Sequence, residues 1–368
     1  MSKLKVGLLG CGAISDAYLK GAKEVFYDEF EIVSCADVIM ERAKSKALEY
    51  DIPKAYTPEE LLKDDEVDLV INITVPMIHE ELTLKCLEAG KHVYSEKPLA
   101  VTREGVKKIM DKAKEKGLRV GCAPDTFMSA PMQTAKKMVE DGWIGEIVGV
   151  TAMCPMRGNE FWRPDPDFFY KKGAGPMLDM GAYYLNTLVS IIGCIKSVSA
   201  EARITFDTRT IKVPPRRGEK IEVEIPTFVS GVMQFENGAI GTLINSFDIW
   251  KSKMPYIEIY GAKGTLVLPD PNFYYGDVLM TRYGNNEWEV CPQLNEYANY
   301  MRGAAVADIA LCLKTGENHR AGIELANHVT DVMLSFEEAA AAGTRKEITT
   351  RCEKPAGLWE RDDTILWR

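Results

Sequence analysis

The sequence predicts an α/β protein in which a doubly wound parallel sheet is followed by an α+β domain with a large open, mostly antiparallel sheet. Over the first third of the chain, short apolar runs alternate with helical segments, which is typical of parallel strands joined by right-handed crossovers. Later turn signals such as Asn237-Gly238 separate runs of strand-forming residues and favour antiparallel pairing. A length of 368 residues fits two domains, which we place at 1–122 and 123–368.

The elements of the first domain follow from apolar runs and glycine stops. A helix that begins near His79 should end before Gly90, because glycine commonly follows the last helical residue. The predicted strands are Leu4–Leu9, Glu31–Ala36, Val67–Asn72, His92–Ser95 and Arg119–Cys122. The predicted helices are Ser15–Lys23, a segment ending at Tyr50, His79–Glu88 and Val106–Lys116.

In the second domain helices and strands no longer alternate regularly. Helices are predicted at Met132–Glu140, Leu178–Ile192, Tyr300–Leu313 and Gly322–Ala341, with a long loop over 154–175. Strands are predicted at Ile147–Met153, Ser197–Phe206, Glu222–Phe235, Ala239–Asp248, Tyr256–Tyr260 and Thr265–Leu268. A broad open sheet needs a covering partner, so we expect a homo-oligomer that assembles through this sheet.

Composition excludes several classes of protein. Lys plus Arg number 45 and Asp plus Glu 54, so a net charge of −9 argues against nucleic-acid and polybasic membrane partners. The longest apolar stretch, Leu185–Ile195, is far shorter than a membrane span. Four histidines and nine cysteines are scattered without a CxxC motif, so neither a metal site nor a disulfide framework is expected. Buried reduced thiols and the absence of a signal-peptide pattern predict a cytoplasmic protein.

A glycine-rich turn at 10–15 joins the first strand to the first helix, where a dinucleotide diphosphate binds in such sheets. Asp37 ends the second strand at the spacing expected for a ribose ligand. Its carboxylate would repel a 2′-phosphate and favours NAD, whereas Arg42 nearby keeps NADP as the weaker alternative. The predicted cofactor-binding residues of this region are Gly10, Gly12, Ala13, Ile14, Asp37 and Arg42.

Two further strand ends should lie at the same edge, because ligands of open α/β sheets bind beyond the carboxyl ends of the strands. The third predicted strand is followed by Thr74, Pro76 and His79, and the fourth by Glu96-Lys97-Pro98. We include Thr74, Pro76, His79, Glu96 and Lys97 among the cofactor-binding candidates.

A polar stripe marks the helix after Gly175. At 100° per residue Asp179, Tyr183, Asn186 and Ser190 fall on one narrow face, whereas the opposite face is apolar. A plain solvent face usually carries Lys and Glu, and neither occurs between Leu178 and Ile195. The pattern favours a polar edge that faces a cleft.

These motifs together resemble the Gfo/Idh/MocA family of nicotinamide-dependent oxidoreductases over nearly the whole chain. The resemblance rests on the 10–15 turn, the segment 74–79, Glu96-Lys97-Pro98 and the helix over 173–186. It implies a Rossmann domain, a second domain whose sheet mediates assembly, and a catalytic site formed by Lys97, Asp179 and Tyr183. Tyrosine at position 183, where many members have histidine, matches the variant found in the glucose–fructose oxidoreductase and dimeric dihydrodiol dehydrogenase branches.

The chemistry of these residues suits oxidation of a secondary alcohol. The hydroxyl proton must leave as hydride moves to nicotinamide, and a phenol serves as the base when a nearby ammonium favours the phenolate. We therefore expect Tyr183 to be the acid–base group, Lys97 to favour its phenolate and bind the substrate oxygen, and Asp179 to orient the substrate or Lys97.

The loop before the polar helix supplies aromatic, amide and charged groups that suit a sugar ring. The predicted substrate-binding residues are Asp125, Asn159, Glu160, Trp162, Arg163, Asn186 and His319.

Together the motifs indicate an NAD-dependent dehydrogenase of a sugar, glycoside or cyclitol, with C3 of a glycoside as one specific case. Two other functions fit the same residues: a glycosidase that oxidises and re-reduces its substrate through NAD, and a non-catalytic sensor of sugar or NAD. An intact Lys97, Asp179 and Tyr183 argues against the sensor.

Overall fold

A computed structural model describes residues 3–285, 287–294 and 302–359. Within these ranges the chain forms two compact units. The first contains the residues up to Met128 and a later segment that ends at Asn327, and the second contains the remainder, beginning at Ser129 and resuming at His328. The predicted boundary at residue 122 therefore falls short of Met128, and a C-terminal segment assigned to the second domain belongs to the first unit.

Strands and helices alternate through the first unit, as the apolar runs predict. In chain order they are β1 (Leu4–Leu9), α1 (Ser15–Lys20), β2 (Phe30–Ala36), α2 (Met40–Tyr50), β3 (Lys54–Tyr56), α3 (Pro58–Lys63), β4 (Leu69–Asn72), α4 (His79–Glu88), β5 (His92–Ser95), α5 (Arg103–Lys116) and β6 (Val120–Cys122). All neighbours pair in parallel in the order β3-β2-β1-β4-β5-β6, so the carboxyl ends of the strands lie at one edge. The doubly wound sheet is confirmed.

Three local features of this unit differ from the prediction. Strand β3 was not predicted, because it has only three residues and all of them are half-buried. Helix α3 was not predicted either, because it has only six residues. Helix α1 ends at Lys20 and the chain continues as a turn of π-helix over Gly21–Val25. None of these differences moves the strand ends that carry the candidate site.

The second unit contains most of the remaining strands. Its elements up to residue 294 are α6 (Ala130–Glu140), β7 (Ile147–Pro155), α7 (Ala182–Ile191), β8 (Ile195–Arg203), β9 (Thr208–Thr210), β10 (Lys220–Glu222), β11 (Phe228–Phe235), β12 (Ile240–Ser246), β13 (Ile257–Gly261), β14 (Gly264–Leu268), β15 (Leu279–Arg282) and β16 (Glu289–Val290). The predicted strand over 222–235 is divided into β10 and β11, with Pro226 between them, because proline cannot donate to a strand ladder.

Three elements complete the described chain: α8 (Ala304–Thr315), α9 (Ile323–Ala342) and β17 (Lys346–Glu347). Helix α8 belongs to the first unit, where it contacts β2 and β6. The predicted start of this helix near Tyr300 lies outside the described residues.

A mixed sheet forms the centre of the second unit, with the strand order β16-β15-β14-β13-β7-β12-β11-β8-β17. Only the β12–β7 pair is parallel among these described strands, so the sheet is mostly antiparallel, as predicted. One face is closely covered: a Cβ on Gly231 would lie 2.8 Å from a ring atom of Phe336 in α9. On the other face Val232 and Ile240 are 47% and 58% exposed.

Glu337 on α9 has a carboxyl group that is largely removed from water. One of its oxygens is inaccessible to solvent and has no hydrogen-bond partner among the described residues. Burial disfavours the charged form and raises the pKa of Glu337 to about 7. Between the ordinary pKa of about 4.5 and this raised pKa, the native state holds a proton that the unfolded chain has released. The free energy of unfolding therefore falls as pH rises from about 4.5 to about 7.

We expect Glu337→Gln to raise the free energy of unfolding by about 2–3 kcal/mol at pH 8 and by less than about 1 kcal/mol at pH 5, since glutamine stays neutral. Urea unfolding at the two pH values measures the difference. An equal gain at both values would contradict the assignment of the effect to ionisation.

Candidate active site

The glycine turn after β1 lies tightly against a neighbouring strand end. Gly10 has a φ of 107°, and a Cβ there would lie 3.1 Å from the carbonyl carbon and oxygen of Ile73, so only glycine fits. The N–H of Gly10 donates to the carbonyl of Ala36 at 2.8 Å. Apart from Gly12 and its two chain neighbours, no atom of the described residues lies within 4 Å of the Cβ position of Gly12. The turn is therefore open where a diphosphate must approach the backbone, and it fits a dinucleotide.

Asp37 lies beside this turn and holds it in place. Its Oδ2 accepts the N–H of Cys11 at 2.9 Å, and its Oδ1 accepts the N–H of Ile39 at 2.8 Å. The carboxylate is only 8% exposed. Arg42 is exposed on the first turn of α2. The structure thus brings Asp37 to the glycine turn, as its spacing predicts, and leaves Arg42 at the surface.

His79 connects two turns at the strand ends. Its Nδ1 lies 2.8 Å from the carbonyl oxygen of Pro98 and its Nε2 lies 3.0 Å from that of Thr74. Burial lowers the pKa of His79 and disfavours the imidazolium. The Thr74 hydroxyl donates to Oδ1 of Asn72 at 2.7 Å, and Pro76 begins the following turn of 3₁₀-helix. The ring of His79 is thus engaged with the protein itself, which fixes the two turns in register.

Glu96 is a buried carboxylate next to Lys97. It accepts the Tyr18 hydroxyl at 2.8 Å and the backbone N–H of Lys97 at 3.1 Å. Nη1 of Arg302, just before α8, lies 3.8 Å from Glu96 Oε1. Burial alone would raise the pKa of Glu96, but the charges of Arg302 and Lys97 and these hydrogen bonds outweigh it and hold the pKa below its usual range. Glu96 is therefore an ionised group that fixes the Lys97 backbone.

Asp125 is fully buried and caps helix α8. Its Oδ2 accepts the N–H groups of Gly303 and Ala305 at 3.1 and 3.2 Å, and its Oδ1 lies 3.9 Å from Arg302. A carboxylate at a helix N-terminus also complements the helix dipole. Asp125 has 0% exposure and both oxygens contact the protein, and its role as a substrate ligand stays a prediction.

Asp179 lies on a turn of π-helix, Met177–Gly181, that precedes α7. The π-helix turn changes the angle between successive side chains, so the predicted 100° periodicity does not extend across Gly181. Asp179 is half-buried, whereas Tyr183 is 5% exposed. The polar stripe is thus divided between two kinds of helix.

The rest of the stripe is satisfied within the helix itself. Asn186 is 5% exposed, and its Nδ2 donates to the carbonyl of Ala182 at 2.8 Å. Ser190 donates its hydroxyl hydrogen to the carbonyl of Thr187 at 2.8 Å. Every residue of α7 is buried. Both side chains thus bond to the backbone of their own helix, and Asn186 as a substrate ligand stays a prediction.

The loop before α7 takes part in a network of hydrogen bonds and ion pairs that sequence spacing did not reveal. Glu160 accepts the hydroxyl of Tyr170, and Nη1 of Arg209 lies 3.2 Å from its Oε1. Arg209 also pairs with Asp248, two residues after β12. Glu160 has only 2% exposure. It therefore holds the loop to the sheet, and its role as a substrate ligand stays a prediction.

Asn159, directly before Glu160, is 1% exposed, and neither its Nδ2 nor its Oδ1 has a partner among the described residues. Trp162 is 55% exposed, and the guanidinium of Arg163 lies 4.5 Å from the centre of its ring. The same loop thus presents a buried amide and an exposed aromatic face.

His319 lies against β6, with its Nε2 3.2 Å from the carbonyl oxygen of Val120. Burial lowers the pKa of this histidine. The following residue, Arg320, is paired with Asp308 inside the first unit. The structure gives His319 a contact within its own unit, and that contact occupies the ring nitrogen.

Within the described ranges, no group of three or more His, Cys, Asp or Glu side chains is arranged to hold a metal ion. No helix in the same part of the chain is long and apolar enough to cross a membrane.

Two family models match this chain. The model of the oxidoreductase family with an NAD-binding Rossmann fold matches residues 4–123, and that of the GFO/IDH/MocA C-terminal domain matches residues 132–267. The strand order and the glycine turn agree with this match. The chain belongs to the Gfo/Idh/MocA family of oxidoreductases, and its first unit is an NAD-binding Rossmann domain.

Known relatives are similar to the chain over most of its length. D-Glucoside 3-dehydrogenase of Escherichia coli K12 is 24% identical over 361 residues, which cover 94% of this chain and 98% of that protein. Myo-inositol 2-dehydrogenase of Thermotoga maritima is 25% identical over 266 residues, which cover 72% and 74% of the two chains. A structure of levoglucosan dehydrogenase with NADH and levoglucosan shares the fold, with a TM-score of 0.81 at 19% identity and coverage of 95% and 100%.

Proposed function

We propose that this protein transfers a hydride between NAD and a secondary alcohol of a sugar, glycoside or cyclitol. The observation that carries the proposal is the Asn159 amide, which is buried with neither polar atom paired among the described residues. Burying an unpaired amide is costly, so a ligand with hydroxyl groups is its natural partner. The names of the E. coli and T. maritima relatives refer to a glycoside and a cyclitol, which supports the same substrate class.

The first unit would hold the cofactor through the glycine turn and Asp37. Gly10 shapes the turn, Gly12 leaves it open, and Ala13 and Ile14 follow on its exposed side. The Asp37 carboxylate would accept ribose hydroxyl hydrogens and repel a 2′-phosphate. When bound, NAD supplies the carbon that accepts the hydride.

Three side chains would carry the proton chemistry. Tyr183 would take the proton of the substrate hydroxyl as the hydride leaves. Lys97 would donate a hydrogen bond to the substrate oxygen. Asp179 would orient the substrate or Lys97. The contact of Glu96 with the Lys97 backbone supports this role, since it fixes where the lysine side chain begins.

The substrate loop would recognise the sugar ring. Asn159 would exchange hydrogen bonds with ring hydroxyls, and Trp162 would cover an apolar C–H face, with Arg163 stacked on the indole. Oxidation at C3 of a glycoside is the specific case that the glucoside 3-dehydrogenase similarity favours.

We also propose that the exposed sheet face around Val232 and Ile240 assembles a homo-oligomer, which light scattering of the purified protein tests.

A screen of glycosides, free sugars and cyclitols with purified protein and NAD, followed at 340 nm, tests the function. Net NADH formation with one class supports the dehydrogenase. Release of free sugar without net NADH indicates the glycosidase that cycles its cofactor. Binding of sugar and NAD with neither reaction indicates a sensor, and both of these outcomes overturn the proposal.

Asp37→Ala should weaken NADH binding by about 10- to 100-fold, because charge-assisted hydrogen bonds of this kind contribute about 1.5–3 kcal/mol. NADPH binding should change less, since the carboxylate that repels the 2′-phosphate is also removed. Fluorescence titration with both cofactors measures the change in preference. Arg42→Ala is the matched control, and an unchanged NADH-to-NADPH ratio in Asp37→Ala would contradict the assignment.

A further inference from the structure

Two cysteines that are far apart in sequence lie in contact in the second unit. Cys194 follows α7, and Cys352 lies in the segment after β17, 158 residues later. Their sulfur atoms are 3.5 Å apart. The backbone N–H of Cys352 also donates to Sγ of Cys194 at 3.2 Å. This is a double contact between the two residues, through sulfur and through the backbone.

The backbone on both sides of the pair is held by α9. The N–H of Ile195 donates to Nε2 of His328 at 3.0 Å, and Nδ1 of His328 lies 3.2 Å from the Thr350 carbonyl oxygen. The Thr350 hydroxyl donates to Asp331 at 2.9 Å. The two sulfurs are therefore kept together by contacts that do not involve sulfur.

The pair differs from the other thiols in access to solvent. All nine cysteines are described, and Cys352 is the one that is not buried. The hydrogen bond from Cys352 lowers the pKa of Cys194, and the neighbouring His328 lowers it further, against the effect of burial. One sulfur can thus meet a solvent-borne oxidant, and the other is available as a thiolate.

We propose that Cys194 and Cys352 form an oxidative modification site that a hydroperoxide converts to a disulfide. Either sulfur can be the donor in the Cys194–Cys352 contact, so the Cys352 proton can pass to Cys194 and leave Cys352 as the nucleophile. The Cys352 sulfur attacks the peroxide, forming a sulfur–oxygen bond as the O–O bond breaks, and the departing alkoxide or hydroxide takes up one proton and leaves as alcohol or water. The Cys194 thiol then gives up its proton and attacks that sulfur, so that the S–S bond forms and the departing hydroxide takes up that proton as water. Two thiols lose two electrons and two protons, and one hydroperoxide is reduced.

The cross-link would join the C-terminal segment to the start of β8. This segment also contacts α6, where the Leu358 N–H donates to Gln133 at 3.1 Å and Lys354 lies 3.7 Å from Glu140. A bond that closes so long a loop restricts the unfolded chain, and we expect it to raise Tm by about 5 °C.

The test treats the purified full chain with hydrogen peroxide and then denatures it under acid. Intact mass should fall by two hydrogens, thiol titration should show the loss of two of the nine thiols, and peptide mapping should join Cys194 to Cys352. Cys352→Ser and Cys194→Ser should each abolish this loss and the rise in Tm, whereas Cys291→Ser, which removes a buried thiol of the same unit, should retain both.

A cross-link that maps to any other pair would overturn the proposal. So would oxidation of Cys352 to sulfinic acid without loss of the Cys194 thiol, or retention of all nine thiols after treatment. Mass mapping of the wild-type chain gives these results even where a serine variant fails to fold, and none of them depends on the proposed dehydrogenase activity.

Discussion

Replacing Tyr183 with phenylalanine is expected to lower kcat by at least about 100-fold while leaving NADH binding near its original value, because the change removes only the phenolic oxygen. The ring stays in place within α7, where Tyr183 is 5% exposed, so the packing of the helix should persist. Steady-state kinetics with the substrate found in the screen, together with NADH titration, measures the effect.

Tyr184→Phe is the matched control. Tyr184 is the next residue of the same helix and is 1% exposed, so this variant removes a hydroxyl from an equally buried ring. Its kcat should stay close to that of the wild type. Near-normal turnover in Tyr183→Phe would overturn the acid–base assignment and would direct attention to Lys97 as the group that moves the proton.

Replacing Asp308 with asparagine is expected to lower the free energy of unfolding by about 3–5 kcal/mol, since it leaves a buried guanidinium without its counter-charge. The side chains of Asp308 and Arg320 both have 0% exposure and form an ion pair. Oδ2 of Asp308 also accepts the backbone N–H of Arg320 at 2.6 Å. The pair connects α8 to the segment that precedes α9. Urea unfolding of the full chain measures the change in the free energy of unfolding.

A surface pair provides the control for this prediction. Asp111 on α5 is paired with Lys107 at 2.9 Å, with side-chain exposures of 66% and 75%. Asp111→Asn should change stability by less than about 0.5 kcal/mol, because water screens exposed charges. If Asp308→Asn had an equally small effect, burial of the Asp308–Arg320 pair would not contribute to stability as argued.

The first half of the fold was predictable from local sequence. Strand β1 and helix α4 have the predicted bounds, because an apolar run and a glycine stop each act over a few residues. The short edge strand β3 was not predictable, since three half-buried residues give no periodic signal. The return of α8 to the first unit was also hidden, because its partners β2 and β6 lie far from it in the chain.

The candidate site likewise contains features that the local sequence predicts and features that it does not. The glycine turn and Asp37 were predictable, since a φ of 107° at Gly10 and a carboxylate at the next strand end follow from local rules. Arg302 and Arg209 were not predicted as part of the site. Each is recognised only by the carboxylates beside it, and those carboxylates come from distant parts of the chain. No single-residue pattern marks an arginine whose partner lies so far along the sequence.

By itself, the sequence determined the alternating α/β fold, the glycine turn with Asp37 beside it, and the family to which the chain belongs. Only the tertiary structure decided which polar candidates are engaged by the protein itself: Asp125 caps α8, Glu160 holds its loop through Tyr170 and Arg209, and Asn186 bonds to its own helix. The physical reason is that turn geometry depends on neighbouring residues, whereas the partner of a buried polar group depends on which distant segments meet around it.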